Sequence, residues 1–252
     1  MDLGLSGKKV ILTGGSRGIG RAALEAFAAE GCDAAFFSRN PEQVAATVDS
    51  LSTHGGKVIG EALDMSDLDA YVAWLKSAAD RLGGCDIFVP GASASGSGAT
   101  GDWDMCYNTD IKGTVLGCET LEPYLEKSGA GAVVIVGSTA ATETFIVPQA
   151  FNALKAALIT YSGQLAQMVG SKGIRVNCVS PGPIKFPGGN WEAIGKAMPE
   201  LYQATEATFA LGRWGGPEEV GRTIVFLASP ASSYTTGTNV VIDGGYTKRV
   251  QF

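Results

Sequence analysis

The run Thr13-Gly14-Gly15-Ser16-Arg17-Gly18-Ile19-Gly20 constrains the fold of this chain more than any other stretch. It follows a short apolar run, Val10-Ile11-Leu12, and opens an alanine-rich helical pattern from Arg21 to Ala29. A strand, a glycine turn and a helix, in that order, are the setting a dinucleotide-binding loop requires. Glycine lets the backbone turn tightly and approach a pyrophosphate closely. The helix N-terminus then offers the anion unpaired N–H groups and the positive end of a dipole. Glycine turns without ligands are common, so the weight lies on the local pattern around this one. It makes Gly14, Ser16, Arg17, Gly18, Ile19 and Gly20 candidate nucleotide-binding residues.

The same alternation continues along the chain. β-rich runs are predicted at Lys9–Leu12, Ala34–Ser38, Lys57–Leu63, Asp86–Val89, Ala132–Val136, Arg175–Val179 and Asn239–Ile242. Helical patterns lie between them at Gly18–Ala29, Pro41–Leu51, Asp67–Leu82, Trp103–Leu125, Gln149–Val169 and Pro217–Ala228. Strands alternating with helices call for a parallel sheet covered on both faces. Val133-Val134-Ile135-Val136 is continuously apolar, as a strand buried on both sides must be. No linker or repeat divides the 252 residues, so the expectation is an α/β fold in one domain over 1–252, a doubly wound parallel sheet of about seven strands. The Gly- and Pro-rich stretch from Pro181 to Asn190, followed by Trp191–Phe209, breaks the alternation. A substrate lid is therefore expected over about residues 183–212, above the C-terminal edge of the sheet.

Composition narrows the partners. A net charge of −6 without a basic block argues against nucleic acid. No apolar run reaches the length of a membrane span, and the N-terminus has no signal-peptide pattern. The cysteines Cys32, Cys85, Cys106, Cys118 and Cys178 are odd in number, scattered and without CxxC spacing, which fits reduced core thiols in a cytoplasmic protein. The single histidine, His54, stands beside Gly55-Gly56, where an exposed turn is expected. Neither a histidine-based metal site nor a Ser-His pair has support, and no metal is expected.

Four separated motifs carry a resemblance. They are Thr13–Gly20 as TGxxxGxG, the pair Asp64-Met65 after the third strand, Ile174–Gly182 as IRVNxVxPG, and Thr236–Gly245 as TGxxxxxDGG. Together the chain resembles the short-chain dehydrogenase/reductase family over essentially its whole length. The resemblance implies a Rossmann-type sheet, with Asp64 and Met65 at the adenine of a dinucleotide and Gly91, Pro181, Gly182 and Ile184 along it. The family's catalytic Asn, Ser, Tyr and Lys map unevenly. Ser138 matches the serine and Lys155 the lysine, which also bonds the nicotinamide ribose. Phe151 stands where the tyrosine belongs, and Asp110 stands at the asparagine. The family's NNAG becomes Pro90-Gly91-Ala92-Ser93, and the threonine that holds the nicotinamide amide becomes Phe186. Asp110 and the ending Arg249–Phe252 resemble a subset of bacterial members that keep the tyrosine.

Phe151 is the serious departure. In the family the tyrosine moves a proton while the nicotinamide moves hydride. The lysine ammonium lowers the phenol's pKa from about 10, and the serine hydroxyl polarises the substrate oxygen. Spacing i,i+4 puts Phe151 and Lys155 on one helical face, so the ring takes the tyrosine's place without its hydroxyl. Loss of general acid–base catalysis is typically worth about 10²–10⁴-fold; hydride transfer survives only if water, Ser138 or Asp110 supplies a proton path. From the sequence Phe151 is open to three assignments: plain core, a pocket wall, or an engineered replacement of tyrosine made to trap a ligand. Ser138 either acts on substrate or satisfies local backbone. Lys155 either holds the cofactor ribose or is a solvated helix lysine. Asp110 either braces its helix, the favoured role, or carries a proton. Tyr161, further along the helix of Lys155, points elsewhere, while Glu143 and Thr144 follow Ser138 on a loop that can face substrate.

The end of the second strand carries Ser38 and then Arg39 in place of the acidic residue that would select NAD, and Arg17 adds a guanidinium. A planar guanidinium fork suits a phosphate, which favours NADP(H) over NAD(H). The leading expectation is an NADP(H)-dependent oxidoreductase acting on a carbonyl or alcohol, with weakened or blocked proton transfer. The alternatives are a non-catalytic nucleotide-binding subunit and a lyase or isomerase on the same scaffold. Pocket walls are expected from Ser93–Thr100, Thr139–Pro148 and Phe186–Phe209. Phe145, Phe186, Trp191 and Met198 in these stretches suggest a small-molecule substrate of apolar or aromatic character. The family mostly forms tetramers through two long helices and the C-terminal edge, which implies a homotetramer; the helices are here Trp103–Leu125 and Gln149–Val169, whose apolar faces include Leu154, Leu158 and Leu165.

Overall fold

The computed structural model of the chain describes residues 2–144 and 147–250. Seven strands form one sheet: β1 Lys9–Thr13, β2 Asp33–Ser38, β3 Val58–Ala62, β4 Ile87–Pro90, β5 Ala132–Val136, β6 Arg175–Pro181 and β7 Asn239–Ile242. Their order is β3-β2-β1-β4-β5-β6-β7, and every pairing is parallel. The helices are α1 Gly18–Ala29, α2 Pro41–Ser52, α3 Leu68–Leu82, α4 Trp103–Cys106, α5 Gly113–Ser128, α6 Ala150–Val169, α7 Asn190–Ala197, α8 Pro199–Glu206 and α9 Pro217–Ala228. Each predicted strand is present, with ends displaced by a residue or two.

Strand side chains alternate between faces, and each face has its own core. Ile11 and Phe37 join Tyr71, Trp74, Leu121, Leu158 and Leu165 beneath α3, α5 and α6. Their chain neighbours Val10, Leu12 and Phe36 join Leu24, Phe27, Val220 and Ile224 beneath α1 and α9. Burial on both sides explains why β5 is apolar at every position. It also corrects one expectation: Leu158 and Leu165 are buried within this core, so they form no free face for a partner.

The long helix expected over Trp103–Leu125 is present as one helical run reaching Ser128, but it is not α-helical throughout. After α4 comes a single π-helical stretch, Tyr107–Lys112, and only then α5. A π turn carries one residue more than an α turn and recurs at functional sites. Here it holds Asp110, which is buried. Two short helices, α7 and α8, occupy the expected lid; α7 buries none of its residues and α8 only Thr205. Among the described residues no helix is long and apolar enough to cross a membrane.

Strand order reverses between β1 and β4, the point where α/β sheets open a crevice above their strand ends. Thr13 splices the two strands there. Its Oγ1 accepts from the backbone N–H of Gly91 and of Ala92, both at 3.0 Å.

Candidate active site

A cavity of about 930 Å³ opens above the carboxyl ends of the strands. Its β1–β3 side is built around the glycine loop. Gly14 has φ 78° and Gly18 φ 55°, the left-handed region that glycine adopts without strain. A Cβ on Gly20 would lie 2.2 Å from the Gly14 carbonyl oxygen, so the loop closes on the start of α1 only with glycine there. Arg17, the residue before α1, makes no side-chain cap, and the first turn of α1 has no acidic residue. The first N–H groups of the helix are thereby left for an anion. Gly14, Gly18, Ile19 and Gly20 line the cavity, as do Ser38, Arg39, Asp64, Met65 and Gly91, with Pro181, Gly182 and Ile184 opposite. This glycine cradle and the uncapped start of α1 fit the pyrophosphate of a dinucleotide.

Two predicted loop residues are engaged elsewhere. Ser16 Oγ donates to Ser38 Oγ at 2.7 Å and lies 3.1 Å from Gln43 Oε1; it ties the loop to β2 and α2 and does not line the cavity. Arg17 lines the cavity, but its guanidinium bonds the carbonyls of Gly188, at 3.1 Å, and Gly96. It spans the mouth between the segment after β4 and the segment leading to α7. Arg39, exposed on the same wall, has no hydrogen-bond or ion-pair partner among the described residues.

The reacting end centres on Lys155. Its Nζ donates to the Val136 carbonyl at 2.8 Å and lies 2.9 Å from Asp110 Oδ1. The lysine side chain is 5% exposed and the aspartate 1%. Asp110 Oδ2 accepts from the Ala94 N–H at 3.0 Å. Asp110 does not line the cavity, so of its two expected roles the brace has the geometry: it joins the π turn, the Ala94 loop and α6. Ser138 lines the cavity at the end of β5, where its Oγ accepts from the Ala140 N–H at 3.1 Å. That bond uses a lone pair and leaves the hydroxyl proton to donate. Phe151 is half-buried, lines the same cavity and packs on Ala94, Cys106 and Ala150. Its ring centroid is 5.5 Å from Lys155 Nζ, within cation–π range. It is a pocket wall supported by a small core.

The other expectations sort as follows. Tyr161 packs with the α3–α5–α6 core and pairs with Cys118, away from the cavity. Phe186 presses its ring on the glycine turn; a Cβ on Gly18 would meet its Cζ at 2.7 Å. Trp191, Met198 and Glu143 line the cavity, Thr144 does not, and Phe145 lies outside the described residues. His54 sits in an exposed turn, and all five cysteines are free and buried. Sequence reasoning missed Tyr246, whose place follows from the turn at Gly244 and Gly245, φ 62° and 75°, just beyond Asp243. Asp243 holds that turn by accepting from the N–H groups of Gly245 and Thr247. The acidic-glycine-glycine string was the signal for it.

The α7–α8 segment hangs on Trp214. Its ring stacks on Tyr202 at 4.3 Å and contacts Trp191 at 5.0 Å and Phe209 at 5.1 Å; Phe209 in turn reaches Tyr246 at 5.8 Å. Aromatic contacts thus do for α7 and α8 what burial does for the rest of the fold.

A family model described as enoyl-(acyl carrier protein) reductase matches residues 14–247. The isoepoxydon dehydrogenase of Penicillium expansum is 36% identical over 258 residues, covering 100% of this chain and 99% of that protein. The dehydrogenase/reductase SDR family member 4 of Bos taurus is 31% identical over 249 residues, covering 96% and 88%. Among solved structures, L-sorbose reductase from Gluconobacter frateurii, complexed with NADPH and L-sorbose, matches with a TM-score of 0.89 at 29% identity. That match covers 99% of this chain and 100% of that one.

The Lys155–Asp110 pair has a measurable consequence. Removing one partner of a buried pair strands the other charge, at a cost of about 3–5 kcal/mol. Lys155→Met should lose about that much unfolding free energy in urea denaturation. The double variant Lys155→Met/Asp110→Asn should recover a good part of it, because the amide still accepts from Ala94. Equal losses in the single and double variants would show that the pair is not coupled.

Proposed function

The chain belongs to the short-chain dehydrogenase/reductase family of oxidoreductases, and from that premise we propose an NADP(H)-dependent enzyme acting on a carbonyl or alcohol, with proton transfer weakened by Phe151. The carrying observation is that Phe151 stands on the wall of the cavity that holds Ser138 and Lys155, with its ring over Lys155 Nζ. Bound NADPH would supply hydride. The uncapped start of α1 would hold its pyrophosphate, Arg39 its 2′-phosphate, and Lys155 its nicotinamide ribose. Ser138 would donate its free proton to the substrate oxygen as a hydrogen bond. The proton delivered to that oxygen has no phenol to come from at Phe151, and passes from water or through Ser138. A second assignment, a non-catalytic nucleotide-binding subunit, draws support from the engagement of Lys155 by Asp110. A lyase or isomerase on the same scaffold has no observation of its own.

Phe151→Tyr tests the proposal. Tyrosine adds one oxygen beside Lys155, and carbonyl reduction with NADPH should rise by about 10²-fold or more. A revertant that binds NADPH but stays inert on a broad carbonyl panel favours the non-catalytic subunit. Fast turnover by the unaltered protein would refute the weakening.

For the cofactor, Arg39→Ala should weaken NADPH binding by about 1.5–3 kcal/mol and leave NADH little changed. Titration of both nucleotides measures this, and equal losses would remove Arg39 from the 2′-phosphate.

We also propose a homotetramer in the cytoplasm. The buried free thiols suit a reducing compartment. Trp103, Tyr107 and Met168 are 59%, 46% and 61% exposed on the stretches carrying α4, the π turn and α6, and they offer apolar surface in place of the buried leucines. Light scattering at micromolar concentration should give the mass of four chains; a monomer mass would exclude the assembly.

A further inference from the structure

Two polar groups of the cavity have no task in the reaction outlined above, which the following rests on. Glu143 lies on the loop after β5, beyond Ser138, and Tyr246 on the turn after β7. Both line the cavity and both are half-buried. Sheet order sets them apart from the adenine end of the dinucleotide. Arg39 and Asp64 follow β2 and β3 on one side of the switch point, whereas β5, β6 and β7 lie on the other. They therefore belong to the substrate half, which also carries the apolar walls Trp191 and Met198.

Among the described residues neither the Glu143 carboxylate nor the Tyr246 hydroxyl has a hydrogen-bond partner. They are also electrostatically coupled: burial, and then the charge of Glu143, push the Tyr246 phenol above its ordinary pKa. At neutral pH Tyr246 accordingly keeps its proton and is a donor. Its ring is held from behind by Phe209. The Gly244 carbonyl accepts from the Leu211 N–H at 3.0 Å, which fixes the turn against the segment following α8.

We propose that Glu143 and Tyr246 form a subsite for a hydroxyl group of the substrate, so that the enzyme acts on hydroxylated carbonyl compounds with an apolar frame. A carboxylate accepts only, and a protonated phenol can donate. One hydroxyl satisfies both, donating to Glu143 and accepting from Tyr246. An ammonium has donors alone and leaves the Tyr246 proton without an acceptor. A carboxylate or phosphate on the substrate would face Glu143 with like charge. Sites built to hydrogen-bond a hydroxyl discriminate strongly against analogues lacking it, because their own polar groups are then left unpaired.

The test is a binding measurement, since the protein as it stands carries Phe151. 2-Hydroxycyclohexanone and cyclohexanone are titrated calorimetrically into the full chain, with and without NADPH, for the unaltered protein, Glu143→Gln and Tyr246→Phe. The hydroxyketone should bind tighter by roughly tenfold to a hundredfold, the range of a hydrogen bond to a charged group. Each substitution should bring the ratio of the two affinities toward one, and melting curves check that both variants remain folded. A ratio near one in the unaltered protein, or a ratio that neither substitution moves, overturns the subsite. Cyclohexylammonium binding tighter than the hydroxyketone also overturns it, in favour of a cation. The NADPH titration scores the oxidoreductase function separately: failure to bind NADPH removes that function, while the ketone titrations without nucleotide still decide the subsite.

Discussion

The buried pair of Lys155 and Asp110 is the contact on which the reacting end depends. Two charges taken almost wholly out of water are tolerated only when each finds its complement and further hydrogen bonds. Here Lys155 has the Asp110 carboxylate and the Val136 carbonyl, and Asp110 has Lys155 and the Ala94 N–H. Four elements meet in those contacts: the end of β5, the segment after β4, the π turn and α6. The π turn carries Asp110 into these contacts. An α-helix running straight from Trp103 would leave residue 110 at another angle, and the extra residue of the wider turn redirects it.

What could be seen in the sequence and what could not divides along the range of the forces involved. The glycine loop was legible because its chemistry is local: a positive φ at Gly14 and Gly18 and the absence of a Cβ at Gly20 are demands that only one residue type meets. The strands were legible because burial on both faces leaves an unbroken apolar run. The π-helical stretch at Tyr107–Lys112 was not, since a single wider turn inside a continuous helix leaves little mark on the local periodicity. Leu158 and Leu165 gave the same apolar pattern whether they faced the sheet or a second chain, and only the packing of α6 decides between them.

The candidate site shows the same division. Ser138, Phe151 and Lys155 were placed by motif spacing, and they do share one cavity. Ser16 and Arg17 were placed by the same motif, yet their side chains answer to distant partners: Gln43 on α2 for one, and the carbonyls of Gly96 and Gly188 for the other. Tyr246 was missed because its only signal was the Asp243-Gly244-Gly245 turn, and what that turn packs on, Ala210 and Leu211, is distant in sequence. The lid is the part least determined by burial. Its helices are fastened through the rings gathered on Trp214, so its position follows from a few aromatic contacts and a backbone clasp.

That clasp is Arg17. A side chain rooted in the glycine loop reaches over the cavity mouth to carbonyls on both banks, so the loop at the start of α1 also links the segment after β4 to the segment before α7. A dinucleotide that draws the guanidinium toward itself must first take it from Gly96 and Gly188. Any group that recruits the Arg17 guanidinium therefore competes with the two carbonyls that hold it, and freeing it is part of the free energy of that group's binding.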